Sequence, residues 1–414
     1  MAKLSNMYRT MAGDSFAPRI SLVMHLDDGD QTLQYEKVTW NIDGEEKGLR
    51  YGENPDQPAA LYRLVNGNLR LGDVETVQPG MGLASEAELL QSGKHPGKIN
   101  ITDADAALGI LRYFGDEPAT VIIKHNNPCG VALGDNAVHS YERAYNADRI
   151  AAFGGAVGMN CTVDASTAQR IADAYTEVVV APDFTPDALD LFAGKKNLRV
   201  MRIRAMDRLA AYEPLRVVDI ASLMDGGLVL QWSFQPKRLT ADELVPAETE
   251  RKGERFVVGR EPTEAEKRDM IFGWFVEAGV TSNSVLYVKD QATVAIGTGE
   301  QDRVGVAEIA RDKAYRKAPE RVSFARYGKG FRDLSETEQA AVTEEVKADK
   351  AGLSGSCMIS DAFFPFRDGI DVGLNEGVQS VLQPGGSLRD FESIEACNEH
   401  NATMCFTGQR SFRH

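Results

Sequence analysis

The feature that most limits the possible folds is the alternation of short apolar segments with longer segments of helical periodicity. Residues 102–113 carry apolar residues at helical spacing, and the apolar run Val121–Ile123 follows at strand length. The same order returns over 164–180, and Thr263 and Glu266 have capping-box spacing ahead of a further helical segment. Strands that alternate with helices form sheets covered by helices, so the sequence predicts the α/β fold class.

The 414 residues are enough for more than one domain. Residues 236–254 are charged, poor in large apolar residues and without clear periodicity, which predicts a linker. The sequence therefore predicts an N-terminal extension at 1–48 that contains a hairpin, and a first α/β domain at 49–235. A second α/β domain is predicted at 255–414, with a surface insertion at 327–352.

Composition limits the partners and the compartment. With 61 acidic and 46 basic residues the chain carries a formal net charge of −15, which repels polyanions and predicts neither a nucleic-acid nor a membrane partner. The five cysteines form no C-x-x-C pair, so no disulfide framework or zinc ribbon is indicated. The N-terminus lacks the apolar segment of a signal peptide, and no run of about 18 apolar residues occurs. We therefore expect a cytoplasmic protein.

An amine and an imidazole stand side by side where the apolar run Val121–Ile123 ends, at Lys124 and His125. A histidine can exchange a proton near neutral pH, and an ammonium group can stabilise developing negative charge. The same pair also suits a solvated lysine and a histidine that closes a turn. Pro128-Cys129 is shared with zinc deaminases, but Ala132 stands where their second cysteine is required and the H-x-E glutamate is absent. The sequence therefore predicts no catalytic metal.

Two further segments are compatible with ligand binding. Gly297–Arg303 lies between a predicted strand and a predicted helix, so its backbone amides and Arg303 could contact an anion, although a plain turn explains its glycines as well. It lacks the full dinucleotide and P-loop patterns, so neither NAD nor ATP is predicted. Ser360–Gly369 combines three phenylalanines with charged residues, which suits a stacked heterocycle hydrogen-bonded to Asp368. A buried aromatic turn accounts for the phenylalanines equally well.

Seven ordered motifs together resemble the formyltransferase portion of the bifunctional purine-biosynthesis enzyme that formylates 5-aminoimidazole-4-carboxamide ribonucleotide (AICAR). They are Leu49–Pro55, Lys124–Ala132, Ala152–Gly155, Asp225–Leu228, Ser282–Ser284, Ser360–Asp371 and Phe406–Arg410. Seven motifs in one order are far more specific than any one of them. The resemblance therefore favours the catalytic interpretation of Lys124 and His125.

The resemblance implies a fold of two tandem cytidine-deaminase-like α/β domains without zinc, assembled as a homodimer with its sites near the subunit interface. It implies the transfer of a formyl group from the co-substrate 10-formyltetrahydrofolate to the 5-amino group of AICAR. The products would be formyl-AICAR and tetrahydrofolate, in de novo purine (IMP) biosynthesis. AICAR and folate would thus be the small-molecule partners, and no catalytic metal is required.

The resemblance also implies roles for individual residues. His125 would take the proton of the amine, and Lys124 would stabilise the oxyanion or help to protonate the departing folate nitrogen. Asp368 and Ser387 would face the folate. The residues that would hold the nucleotide are Arg50, Tyr51, Asn283, Arg303, Phe363 and Arg410.

Several positions depart from the family pattern. Only residues 1–48 precede the first motif, too few for the family's cyclohydrolase domain, so no IMP cyclohydrolase activity is expected from this chain. Asp183 replaces the glycine of an Ala-Pro-Gly motif, where a carboxylate would repel phosphate or alter the loop. Glu300 and Asp302 make a more neutral segment acidic, and Ser411 stands where bacterial members often have histidine.

Two other functions are compatible with these departures. One is formyl transfer from formate with ATP, against which the missing P-loop argues. The other is a diverged nucleotide- or folate-binding protein of the same fold, motivated by Asp183 and the acidic segment 300–302. The presence of both Lys124 and His125 favours the transferase.

Overall fold

Contacts between backbone positions divide the chain into two compact units. The residues described by the computed structural model are 14–67, 70, 74 and 76–414. Unit 1 comprises the described residues of Met1–Ala119 together with Gly154–Gln235, and unit 2 comprises Thr120–Phe153 together with Pro236–His414. Residues 1–13 of the predicted N-terminal extension lie outside the described residues.

Strands and helices alternate along much of the described chain. The strands are β1 (Arg19–Leu26), β2 (Gly29–Lys37), β3 (Trp40–Ile42), β4 (Glu45–Lys47), β5 (Tyr62–Gly67), β6 (Glu88–Gln91), β7 (Ala119–Lys124), β8 (Asn127–Leu133), β9 (Ala156–Met159), β10 (Val178–Ala181), β11 (Arg199–Arg202), β12 (Val218–Ser222), β13 (Leu228–Trp232), β14 (Glu248–Arg251), β15 (Glu254–Val257), β16 (Val285–Lys289), β17 (Ala292–Gly297), β18 (Cys357–Ser360), β19 (Ser380–Gln383) and β20 (Thr403–Phe406). The α-helices are α1 (Lys98–Leu111), α2 (Ala137–Ala147), α3 (Arg149–Ala152), α4 (Ala165–Asp173), α5 (Pro186–Ala193), α6 (Glu264–Glu277), α7 (Arg303–Tyr327), α8 (Glu336–Ala348), α9 (Asp368–Leu374) and α10 (Asp390–Glu399). The predicted α/β class is confirmed. Within the described residues, no helix combines the length and the apolar character needed to cross a membrane.

Unit 2 is built on strands in the order β20-β19-β18-β16-β17-β8-β7. Strands β18, β19 and β20 are parallel, whereas β16 and β17 form an antiparallel hairpin. Its two turn residues, Asp290 and Gln291, have φ of 53° and 57°, as a two-residue hairpin turn requires. The Asp269 carboxylate on α6 accepts hydrogen bonds from both turn amides, at 3.0 and 2.6 Å. The hairpin is thereby fixed to the helix that covers it.

The segment 327–352, expected at the surface, contributes to the core of unit 2. It contains α8, whose Val342 and Val346 are buried in the same hydrophobic cluster as the inner face of α7. The two valines are four residues apart and so share one face of the helix. Because charged residues outnumber these two valines in the segment 327–352, its composition alone indicates a solvated segment and does not reveal the narrow apolar face.

The capping box predicted at the start of α6 is confirmed. The Glu266 amide donates to Thr263 Oγ1 at 3.3 Å, and the Thr263 amide donates to Glu266 Oε2 at 2.8 Å.

We expect Thr263→Ala to lower the free energy of unfolding by about 1 kcal/mol, because an amide of the first turn loses its acceptor. Thr263→Ser keeps that acceptor and should cost much less. Chemical denaturation of both variants checks this, and equal losses would show that the hydroxyl is not the stabilising group.

Unit 1 contains a further group of paired strands, in which β9, β10 and β11 are parallel and β6 lies antiparallel to β11. Helix α4 connects β9 to β10, and α5 connects β10 to β11. All four residues of β10, Val178–Ala181, are buried, as is usual for an apolar strand inside a parallel sheet. The hairpin predicted near the N-terminus coincides with β1 and β2, which pair antiparallel.

The two units are discontinuous in sequence, unlike the linear domains expected from composition. The unit boundary after Gln235 coincides with the start of the predicted linker, but Thr120–Phe153 groups with unit 2. The physical reason is strand β8, whose Ala132 pairs with Ala292 of β17. Composition changes along the chain do not reveal such long-range pairing, and the linear domain bounds stay a prediction.

Candidate functional site

Two turn residues place an imidazole at the tip of a hairpin in unit 2. Strand β7 ends at Lys124 and β8 begins at Asn127, so His125 and Asn126 form the whole connection. Their φ angles are 56° and 61°, in the left-handed region that a tight two-residue turn requires and that histidine and asparagine tolerate better than most residues. The side chain of His125 is exposed. A proton-exchanging group is thus presented to solvent on a tightly defined backbone.

This turn is tied to a segment that lies far away in the sequence. Asn127 Oδ1 accepts a hydrogen bond from the Thr281 amide at 2.9 Å. Arg413 Nη1 donates to the Asn126 carbonyl at 3.3 Å and also to the carbonyl of Gly279. The C-terminal segment, which the sequence presents as a basic tail, therefore helps to hold the turn against residues 279–281.

The ammonium group of Lys124 is also anchored. Its Nζ donates to the Phe153 carbonyl at 2.6 Å, just beyond the C-terminus of α3. Asp148 caps α3 through the Ala151 amide at 2.9 Å and pairs with Lys317 Nζ at 2.8 Å. The carbonyl that holds Lys124 therefore ends a short helix whose first turn is fixed by Asp148.

The Arg303 guanidinium lies in a buried cluster of unit 2. Arg303 is the first residue of α7, is 7% exposed and forms an ion pair with the fully buried Asp361. Its Nη1 also donates to the Ser284 carbonyl at 3.0 Å, and its Nη2 donates to Asn283 Oδ1 at 2.9 Å. Two of the residues proposed from the resemblance, Asn283 and Arg303, are therefore in direct contact.

The same carboxylate connects this cluster to the C-terminal segment. Ser282 Oγ donates to Asp361 Oδ2 at 2.6 Å, and the Arg413 amide donates to Ser282 Oγ at 3.1 Å. The Ser411 amide donates to the Asp361 carbonyl at 3.0 Å. One hydrogen-bonded network, which we call the turn network, therefore joins four segments. They are 124–127, 279–284, 360–361 and 411–413.

The glycine-rich turn ahead of Arg303 uses several of its amides for hydrogen bonds within the protein. The Gly299 amide donates to the carbonyls of Thr281 and Asn283, and Asp302 caps α7 by accepting the Gly305 amide at 2.6 Å. These bonds favour the plain-turn explanation over an anion site. They also give the unusual carboxylate of Asp302 a structural role.

The aromatic segment after β18 is only partly buried. Phe364 is fully buried, whereas Phe363 is 40% and Phe366 is 50% exposed. The Arg389 guanidinium lies 4.9 Å from the ring centroid of Phe366, which brings the 387–389 loop beside this segment. Asp368, the exposed first residue of α9, and Ser387 therefore lie in neighbouring segments. Arg410 is exposed, with its guanidinium 4.2 Å from the ring of Phe412.

In unit 1, Arg50 and Tyr51 are in direct contact. Arg50 Nη2 donates to Tyr51 Oη at 2.7 Å, and the guanidinium lies 4.4 Å from the ring centroid. His95 Nε2 lies 2.5 Å from the Gly48 carbonyl, and the Arg50 amide donates to the Pro96 carbonyl at 2.9 Å. His95 thus helps to hold the backbone ahead of Arg50. Sequence reasoning missed it, because an isolated histidine beside a proline carries no motif.

Burial and the nearby Arg50 cation lower the pKa of His95 from its ordinary value of 6.5. The folded state therefore binds fewer protons than the unfolded state just below that value, so stability is present above about pH 6.5 and is lost as the pH falls through the folded-state pKa. We expect His95→Asn to make the free energy of unfolding depend less on pH. Asparagine is chosen because it tolerates the positive φ of residue 95. Denaturation from about pH 5 to 8 checks this, and an unchanged slope would assign the loss to other groups.

The unusual carboxylate of Asp183 in unit 1 is paired. Its Oδ1 accepts the Phe184 amide at 3.0 Å and Arg202 Nη1 at 3.2 Å, and these bonds lower the pKa of Asp183. Arg202 also contacts both oxygens of Glu88, at 2.9 and 2.7 Å. Asp183 therefore remains ionised, but part of its charge is balanced by Arg202.

Among the described residues, no group of three or more histidine, cysteine or acidic side chains is placed to hold a metal ion. Burial raises the pKa of the Cys129 thiol to about 12, so this cysteine stays protonated beside the turn. The hairpin held by the turn network carries the exposed imidazole of His125 and the ammonium of Lys124. Such groups suit proton transfer and the binding of anions.

Comparisons with known proteins identify the family of this chain. The family model described as AICARFT/IMPCHase bienzyme matches residues 14–313. The bifunctional purine biosynthesis protein PurH of Paracoccus denitrificans is 40% identical over 370 residues, which cover 89% of this chain and 60% of that protein. PurH of Caldicellulosiruptor saccharolyticus is 36% identical over 366 residues, covering 88% of this chain and 59% of that protein.

A third relative, PurH of Magnetococcus marinus, is 37% identical over 385 residues, covering 92% of this chain and 61% of that protein. The chain thus spans about 60% of the length of these relatives. Six of the ten proposed site residues lie within the family match, and the four that follow it are Phe363, Asp368, Ser387 and Arg410. The chain belongs to the AICARFT/IMPCHase bienzyme family.

Proposed function

We propose that this chain transfers a formyl group from 10-formyltetrahydrofolate to the 5-amino group of AICAR, giving formyl-AICAR and tetrahydrofolate. The proposal rests on the turn network. Its hydrogen bonds connect the hairpin that bears Lys124 and His125 to the segment that contains Asn283, which in turn contacts Arg303. Family membership and the naming of its relatives as purine biosynthesis proteins support it. Ring closure, the second activity in the family's description, is not proposed for this chain.

The proposed chemistry assigns the proton transfers to this hairpin. The amine nitrogen of AICAR forms a bond to the formyl carbon, and the bond from that carbon to the folate nitrogen breaks. Since an amine conjugated to an imidazole carboxamide is a poor nucleophile, removal of its proton by His125 lowers the barrier. The Lys124 ammonium stabilises the oxyanion or protonates the departing nitrogen. The bond from Lys124 to the Phe153 carbonyl holds the ammonium in place for this role.

The nucleotide is proposed to be held by cationic, amide and aromatic side chains. Arginine suits the 5′-phosphate because its planar fork matches two phosphate oxygens. Arg410 is the proposed cationic contact with an exposed side chain, Arg50 is half-buried against Tyr51, and Arg303 is buried and acts through Asn283. The remaining proposed contacts are Tyr51 and Phe363. These cations also oppose, locally, the net charge of −15 that repels an anionic substrate.

The residues proposed to face the folate fit a flat heterocycle. The exposed ring of Phe366 can stack against such a ring, and the exposed Asp368 carboxylate can accept hydrogen bonds from ring nitrogens. Ser387 lies in the loop that contacts Phe366 through Arg389. These features support the assignment of Asp368 and Ser387.

We also propose the finer fold assignment, a pair of cytidine-deaminase-like α/β domains without catalytic zinc, and a cytoplasmic location. The zinc-free part rests on Ala132, which replaces the second cysteine of the zinc-deaminase signature. Measurement of bound metal by mass spectrometry, together with turnover before and after treatment with a chelator, tests it. Stoichiometric zinc whose removal abolishes turnover would contradict this assignment.

A homodimer with its sites near the subunit interface is proposed as well. Apolar side chains of the β12–β13 hairpin, including Ile220, Leu228 and Leu230, are about half exposed, and exposed apolar clusters commonly mark interaction surfaces. We expect Leu230→Asp to shift the protein from dimer to monomer in sedimentation equilibrium and to lower turnover. The matched control is Val245→Asp, a similarly solvent-accessible apolar residue on a different segment. If neither variant dissociates, the β12–β13 hairpin is not the dimer interface.

The decisive experiment is an assay of the purified chain with AICAR and 10-formyltetrahydrofolate, in which formation of tetrahydrofolate is followed. Turnover without ATP supports the proposal. Turnover only with formate and ATP would replace it with the formate-dependent reaction, and tight binding of AICAR without turnover from either donor would indicate a binding protein. A second assay for IMP tests whether ring closure needs another protein.

A further inference from the structure

Glu277, which the proposed chemistry does not use, occupies a position that disfavours a charged carboxylate. It is the last residue of α6 and none of its surface is exposed. Acidic residues are seldom fully buried without a charged partner. The C-terminal end of a helix also carries partial negative charge, which repels a further anion.

The contacts of Glu277 fit a neutral carboxylic acid. Its Oε1 lies 2.5 Å from Ser284 Oγ, and its Oε2 has no side-chain hydrogen-bond partner among the described residues; the Asp361 backbone amide is the other donor beside the carboxylate. A buried anionic oxygen without a partner costs more than a neutral carbonyl oxygen in the same place. A proton on Oε1 can be donated to Ser284 Oγ, which makes Oε2 a neutral carbonyl oxygen in place of a buried anionic one.

The charges around Glu277 lead to the same conclusion. Asp361 on the loop after β18 and Arg303 at the start of α7 lie near it and already form an ion pair. An ionised Glu277 would therefore add one negative charge that Arg303 does not balance. Burial and the Asp361 carboxylate raise the pKa of Glu277 well above its ordinary value of 4.5, and the Ser284 hydroxyl, Arg303 and the Asp361 amide oppose this rise only in part.

Ser284 connects this acid to the proposed nucleotide contacts. The Ser284 amide donates to Asp361 Oδ2 at 3.2 Å, and its carbonyl accepts from Arg303 Nη1 at 3.0 Å. The preceding residue, Asn283, accepts from Arg303 Nη2. A displacement of Ser284 would therefore move Asn283 and the partners of Arg303 together.

We propose that Glu277 is a protonated carboxylic acid at neutral pH, and that its hydrogen bond to Ser284 makes it a positioning residue for Asn283 and Arg303. The positioning role rests on the proposed function, whereas the protonation state does not. The two parts are therefore tested by separate measurements.

Infrared difference spectroscopy tests the protonation state without any substrate. A buried carboxylic acid has a carbonyl stretching band that carboxylates lack. This band should be present in the spectrum of the wild-type protein at neutral pH and absent from that of Glu277→Gln. Ser284→Ala, which removes the hydrogen-bond partner, should shift the band. A wild-type spectrum without a band that depends on Glu277 overturns the proposal.

The pH dependence of unfolding is a second test of the same point. A carboxyl group whose folded-state pKa is raised stabilises the fold below its unfolded-state pKa, and that contribution is lost as the pH rises through the folded-state pKa. The amide side chain introduced by Glu277→Gln cannot titrate, so the stability of this variant relative to wild type should increase from about pH 5 to about pH 8. A constant difference overturns the protonated acid.

Binding and turnover test the positioning role. Glu277→Ala should raise the dissociation constant and KM of AICAR about tenfold, the effect of one lost hydrogen bond, with a smaller change in kcat. Glu277→Gln should restore both constants to within about threefold, because its amide can also donate to Ser284. Met270→Ala, another large-to-small change at a fully buried position of α6, controls for loss of packing.

Unchanged AICAR binding in Glu277→Ala, or an equal loss in Met270→Ala, overturns the positioning role. A wild-type protein that carries the infrared band but has no formyl transfer would instead contradict the proposed function and leave the protonation state established. The two failures are therefore distinguishable.

Discussion

Replacement of His125 by asparagine is expected to lower kcat for formyl transfer roughly 10³-fold, since general acid–base catalysis contributes about 10² to 10⁴. The fold should be almost unaffected, because the side chain is exposed and the change in unfolding free energy at such a site is usually within about 0.5 kcal/mol. Asparagine is preferred to alanine because residue 125 has a φ of 56°. Alanine in this left-handed conformation would add roughly 1 to 2 kcal/mol of strain.

A comparison with a second histidine, whose side chain is partly exposed, makes this result specific. His139 lies on α2, where its imidazole contacts Asp135 at 3.1 Å, and it is no part of the turn network. His139→Asn should keep wild-type turnover. Rapid-mixing measurements of tetrahydrofolate formation distinguish chemistry from product release. If His125→Asn retained more than about a tenth of the wild-type rate, another group would have to take the amine proton.

Local signals in the sequence predicted much of the fold. The apolar run that begins at Val178 is a strand because four buried residues in succession, Val178–Ala181, suit a sheet with helices on its faces. Thr263 starts a helix because its hydroxyl and Glu266 satisfy exposed amides of the first turn. Such features depend on residues close together in the chain, so their physical cause is visible in the sequence.

The support of the candidate site depends on contacts that no local pattern encodes. Arg413 reaches the Asn126 carbonyl across 287 positions, and Ser282 and Asp361 are 79 positions apart. The resemblance identified Lys124 and His125, but neither it nor the residue spacing indicated what holds them. Glu277 was missed because a glutamate at the end of a helix is usually solvated, and only the tertiary fold buries it.

Asp361→Asn is expected to cause the largest loss of stability, about 3 kcal/mol, because it leaves the Arg303 guanidinium buried without its carboxylate partner. The amide preserves shape, so the loss reports charge rather than packing. Chemical denaturation at neutral pH measures it. Asp302→Asn, at the exposed N-cap of α7, is the matched control and should change the free energy of unfolding by only a few tenths of a kcal/mol, since both residues cap helices well.

The size of this loss should depend on whether Glu277 can ionise. Burial and the Asp361 carboxylate both disfavour an ionised Glu277, so once Asp361 is neutral only burial opposes ionisation while Arg303 favours it, and Glu277 can replace part of the missing charge. The double variant Asp361→Asn with Glu277→Gln removes that route. Its loss should exceed the sum of the single losses by at least about 1 kcal/mol. Additive losses in the double variant would mean that Glu277 does not respond to the charge of Asp361. A loss below about 1 kcal/mol in Asp361→Asn alone would mean that Arg303 does not depend on this carboxylate.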